Sequence, residues 1–324
     1  MKFSILLSGS AIALAATLSM ATPAQAQSTC DLNGVDGGVN ATPANGGATA
    51  IGAFSLACGD SAAASGVGAT AIGSLAETSV AALVGDPTIL AVEGSLGNLA
   101  VGFYAQTLGS DNVAVGNFAT VADTTAGAGP LAAPVTDGTA IGSNANVTAD
   151  GGTALGASST ASGFISTAVG SLSVASGAAS TAVGQGSTAS GFASTAVGQA
   201  SLAQGDNSTA TGFLSQALGV GSTANGTGAI AMGENSIASG INANASGLGS
   251  IAIGADSVAP LDSNIAVGNR AAANGMRSTA IGTDSIASDQ EATAVGYEAN
   301  AAGFHSSAFG ALADAIGQIG RAHV

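Results

Sequence analysis

Ser180-Thr-Ala-Val-Gly-Gln-Gly-Ser-Thr-Ala-Ser-Gly-Phe-Ala193 decides the fold, because what precedes and follows it is nearly itself. Ser166-Thr-Ala-Val-Gly170 and Ser194-Thr-Ala-Val-Gly198 flank Ser180-Thr-Ala-Val-Gly184, each fourteen positions away. Between them lie Ser173-Val-Ala-Ser-Gly177 and Ser187-Thr-Ala-Ser-Gly191. Glycine recurs at every seventh position from Gly142 to Gly317, failing only at Ala149, Leu261 and Asp289. The same grid runs upstream in two other phases, Gly52 to Gly73 and Gly102 to Gly116.

Each half-unit alternates small polar and apolar residues with period two, which is a strand pattern. Glycine at every seventh position would ruin a helix and reads as turns. A coiled-coil heptad needs two large apolar positions and no glycine. Each 14-residue unit is therefore expected to be one coil of a parallel β-solenoid: strand, turn, strand, turn. Coils of this kind stack at about 4.7–4.9 Å, and the length of the repeat region predicts roughly nineteen of them.

Composition agrees. Charged residues make up 7%, aromatics 3%, and tryptophan is absent, while glycine numbers 50. Such a chain cannot fill a thick core, but a thin regular one suits it. Its mean hydropathy of +0.47 is too high for a disordered chain.

Side-chain direction follows from the alternation. Ala182 points one way, Thr181 and Val183 the other. The columns Ala168, Ala182, Ala196 and Ala161, Ala175, Ala189, Ala203 suit the interior of a flat coil. The residue before the first glycine then points outward, as a column of Ile141, Leu155, Val169, Val183 and Val197, resuming with Ile253, Val267, Ile281, Val295 and Phe309. An apolar stripe of this length should not face water, and the expectation is that identical chains bury it against one another. The converse arrangement, with the large residues inside a monomeric solenoid, is the competing expectation. Apparent 21-residue steps at Ile51 to Ile72, Val197 to Leu218 and Met232 to Ile253 leave two options, a three-sided coil or a tolerated weak slot.

The chain divides into five parts. Residues 1–26 read as a signal peptide: Lys2, an apolar run from Ile5 to Met20, and Ala24-Gln25-Ala26 for cleavage. Residues 27–47 form an N-terminal segment, 48–317 the repeats, and 318–324 a tail. Pro87 marks one insertion at about 75–97, and Pro130 and Pro134 another at about 118–138. Cys30 and Cys58 are the only cysteines, and export favours a disulfide between them over two buried thiols. No further apolar run is long enough for a transmembrane helix.

At Ser250-Ile-Ala-Ile-Gly254, Asn264-Ile-Ala-Val-Gly268, Asn112-Val-Ala-Val-Gly116 and Ser278-Thr-Ala-Ile-Gly282 the chain resembles the head repeats of YadA-type trimeric autotransporter adhesins. The resemblance extends over the repeat region, from about Ala48 to Gly317. It implies an all-β, left-handed parallel β-roll, a homotrimer with the stripe residues above at its interface, display at the outer membrane surface or secretion, and a part in virulence. It also implies attachment to extracellular-matrix or cell-surface proteins. That family continues into a neck, stalk and barrel anchor, and no such pattern follows Gly317 here, which puts the mode of anchoring in doubt.

Catalytic, cofactor and metal signatures are lacking. There is no G-x-S-x-G elbow and no dinucleotide loop, and the calcium nonapeptide is missing. His305 falls in a turn and His323 in the tail, neither with an obvious carboxylate partner. Asp206, Asp256 and Asp284 read as solvated turn residues. A formal charge of −15 disfavours nucleic acid and anionic membranes. The expected function is non-catalytic adhesion. The alternatives are an ice-binding solenoid, prompted by the column Thr167, Thr181, Thr195 and Thr209, or a structural spacer.

Overall fold

The computed structural model describes residues 30–32, 48–50, 53–79, 96–122, 134–317 and 321–323. The signal peptide, most of the N-terminal segment, Ile51, Pro87 and Pro130 lie outside these residues.

The described chain is a two-sided parallel β-solenoid of about 17 coils. A front sheet collects strands such as Thr167–Val169, Thr181–Val183 and Thr195–Val197, and a back sheet collects Val174–Ala175, Thr188–Ala189 and Leu202–Ala203. Both sheets advance by one sequence repeat per coil, except between Thr70 and Leu99 and between Val113 and Thr139, where the step is longer. Ala182 lies between Ala168 and Ala196 in the front sheet, and Ala189 between Ala175 and Ala203 in the back. Thr181 donates its N–H to the Ser194 carbonyl at 2.9 Å, and Gly184 to that of Val169 at 2.8 Å.

Alanine makes the interior. Columns of buried alanines run along both sheets, unbroken in the front and interrupted in the back by Thr78, Thr107, Val121 and Val147. Small side chains, mostly alanine and serine, fill the space between the sheets, so the coil is flat, and the large residues stand outside it. That removes the arrangement with the large residues inside the coil.

The two turns of a coil explain where the glycine grid fails. The front turn holds Gly184 at φ +129°, and a Cβ there would sit 2.5 Å from the Gly198 carbonyl oxygen of the next coil. Only glycine takes that conformation without strain. The three exceptions, Ala149, Leu261 and Asp289, all occupy the back turn and have no positive φ.

Several expectations are corrected. The fourteen-residue register holds through Val197, Thr211, Asn225, Ser239 and Ile253, so no coil there is three-sided and the polar slots are tolerated. Leu218 and Met232 follow back-sheet strands and do not belong to the Val197 column. Glu77–Ser79 and Thr120–Val121, near the starts of the two expected insertions, pair within the back sheet. The described residues form about 17 coils, against the roughly nineteen expected for the repeat region as a whole. Within the expected tail, Arg321–His323 pairs in parallel with Ser307–Phe309 and extends the front sheet.

At the other end Cys30–Leu32 pairs antiparallel with Leu56–Cys58 and covers the first edge of the front sheet. Sheet edges invite further pairing unless covered. Cys58 is disulfide-bonded, and Cys30 lies directly opposite it in that pairing.

Candidate interaction surfaces

With alanine facing in, each front strand presents two outward columns. The first runs Thr139, Thr153, Thr167, Thr181, Thr195, Thr209 and Thr223 before turning to Ile237. It is a single file of threonines rather than a broad regular array. The second column is the apolar stripe. Ile141, Val197, Ile253, Ile281 and Phe309 are 37–42% exposed, and Leu155, Val169, Val183, Val267 and Val295 are half-buried by their neighbours. In a single chain the ten residues thus keep a large part of their apolar surface in water. Burial of such a side chain is worth about 1.5–3 kcal/mol when complete.

The back turn carries a second pattern, which was not anticipated. Its outermost residue is apolar and large at every second coil, at Phe164, Phe192, Val220, Leu248, Met276 and Phe304. All six are exposed. Between them stand Ala178, Asp206, Glu234, Asp262 and Gln290. Asp206 accepts the Phe192 N–H at 2.8 Å, and Asp262 accepts that of Leu248 at 3.0 Å. The carboxylates thereby hold the turns that display the apolar residues. A search of the sequence at twice the coil length would have found this alternation.

Near the N-terminal end an aromatic group rises from two adjacent front turns. Tyr104 stacks on Phe118 with centroids 5.4 Å apart, and Phe103 meets both edge-on. All three are exposed.

Charged turn residues are joined coil to coil. Arg270 grips Asp284 through two contacts of 2.6 Å, and Arg277 lies 2.9 Å from Glu291. His305 does have a carboxylate partner, Glu291 at 3.5 Å, one coil before it. Asp256 likewise accepts from Asn242 at 3.1 Å, so these aspartates are structural links as well as solvated groups. The hydrogen bond from Arg270 holds the Asp284 carboxyl below its ordinary range, while Asp284 raises the Arg270 guanidinium.

Among the described residues no cluster of three or more His, Cys, Asp or Glu could hold a metal ion. No helix there is long and apolar enough to cross a membrane. The surfaces are repetitive and shallow, with contacts that recur from coil to coil.

Among known proteins, no curated one matches the chain significantly. The YadA head domain repeat, a unit of two copies, matches residues 136–159, 161–187, 189–215, 215–233, 233–257, 265–285 and 287–313. These stretches cover more than half of the chain and fall on the regular coils, and the chain accordingly belongs to the YadA head domain repeat family.

Proposed function

We propose that this chain is the non-catalytic head of an exported trimeric adhesin, displayed at the cell surface or released from it. The observation that carries the reading is the family repeat across residues 136–313, in a family of adhesin type. Three copies form a left-handed roll trimer with their front sheets turned towards a common axis. Ile141, Leu155, Val169, Val183, Val197, Ile253, Val267, Ile281, Val295 and Phe309 meet there, and water leaves the stripe. The Cys30–Cys58 bridge fastens the covering strand over the first coils.

With the front sheets inside, the back turns and the aromatic group of Phe103, Tyr104 and Phe118 remain outside. They are the surfaces offered to extracellular-matrix or cell-surface proteins. Each contact is weak, but its repetition along the rod and in three chains raises the effective affinity through avidity.

The test uses purified residues 27–324 in a solid-phase assay against extracellular-matrix extract, cultured cell layers and an inert albumin surface. Retention on matrix or cells above albumin is expected, with a sharp fall for the V183D/V197D variant, whose stripe cannot pack. Equal retention on all three surfaces would sink the adhesin reading.

A further inference from the structure

The apolar stripe is interrupted where the fold is not. Between Val197 and Ile253 the same outward column holds Thr211, Asn225 and Ser239, in unbroken register. Ala210, Ala224 and Ala238 remain fully buried beneath them. In two of the three coils the other front column is polar as well, with Thr209 beside Thr211 and Thr223 beside Asn225. Eight apolar levels lie on one side of this interval, Ile72, Val101, Val115 and Ile141 to Val197, and five on the other, Ile253 to Phe309.

A trimer of nearly identical coils has a difficulty with alignment. Sliding one chain along the axis by one coil replaces valine with valine and threonine with threonine. Hydrophobic association is non-directional and does not oppose the slip. A polar interval does. In register, Thr211, Asn225 and Ser239 each face their own copies and can hydrogen-bond to them or to shared water. After a one-coil slip Thr211 faces Val197 and Ser239 faces Ile253, and buried polar groups lose their partners. Polar residues set into an apolar seam fix register in the same way in coiled coils. The place of the interval inside the seam matters, because a short slip cannot carry it off either end.

We infer that Thr211, Asn225 and Ser239 are the register key of the assembly, forcing three otherwise slippery rolls into level-by-level alignment. The inference rests on the trimer reading and goes beyond it.

The test co-expresses two differently tagged chains, one carrying V169C and the other V197C, and oxidises the assembled protein. Two coils separate these positions by roughly 9–10 Å along the axis. A disulfide requires Cα atoms within about 7 Å. In the otherwise native background, links between like positions are expected and links between V169C and V197C chains are not. With T211V/N225V/S239V added to both chains, the mixed link is expected to appear, since slipped assemblies become permissible. N225V alone, the milder change, is expected to give a smaller mixed fraction if the triple variant does not fold by circular dichroism. Like-position links without any mixed link in the filled variants would overturn the register key and leave the trimer standing. Absence of every interchain link in the native background would overturn the trimer itself.

Discussion

Asn264 shows how closely single residues in this solenoid answer one another. In neighbouring coils the carbonyls of Ala259 and Ala287 receive N–H groups from Ser246 and Asn274. The corresponding donor for Ala273 would come from Pro260, which has none. Asn264 sends its amide across the coil to the Ala273 carbonyl at 2.5 Å and accepts the Ser278 N–H at 3.2 Å. Ser250 and Ser278, in the same buried column, leave their hydroxyls without a partner. Asn112 does the same service beside the second insertion, donating to the Val135 carbonyl. A volume exchange follows the same logic. Val147 replaces the usual interior alanine, and Gly152 replaces the usual buried serine, where a Cβ would lie 2.6 Å from Val147 Cγ1. V147A should cost about 1–3 kcal/mol through the void it leaves. G152S should cost about 1–3 kcal/mol through overpacking. The double variant recreates the common coil and should recover most of both losses in a thermal-melting double-mutant cycle. Simple additivity would contradict the pairing. Proline, asparagine, valine and glycine at these places are visible in the sequence as departures from the repeat. Their pairing was not legible, because it joins the two sheets through space.

Strands and turns follow a simpler rule: whatever a residue does, it does with the residue one coil away. Arg270 and Asp284 stand one repeat apart in sequence and are neighbours in space. A linear scan for partners missed His305 and Glu291 for that reason, while a scan at the repeat length would have paired them. The pH response of the Arg270–Asp284 link has a defined sign. Asp284 has its folded-state value lowered by the Arg270 hydrogen bond. Its contribution is therefore fully present above the ordinary aspartate value of about 3.9 and is lost as pH falls through the lower folded value. D284N should lower the melting temperature at about pH 7, modestly because the pair is at the surface, and the difference should vanish at about pH 2. A difference that persists unchanged in acid would mean that the carboxylate charge is not what matters. Turn type was only half legible. The need for glycine at φ near +130° in every front turn explains its invariance there, but the seven-residue grid treated both turns as equal.

Across the whole molecule, one coil repeated about 17 times turns small local preferences into long surfaces. Alanine columns, the threonine file and the valine–isoleucine stripe could all be read from period two within period fourteen. The structure leaves that inside-and-outside assignment intact. The back-turn row at every second coil and the aromatic group of Phe103, Tyr104 and Phe118 were not read, because each needs the coils stacked before its members become neighbours. The stripe has the largest consequence, since ten half-exposed apolar residues in one line favour association with further copies. The most direct measurement is the absolute mass of residues 27–324 by light scattering after size exclusion. The account predicts three times the chain mass. A folded monomer, stable at the same concentration, would contradict it and leave the stripe without the partner that its exposure calls for.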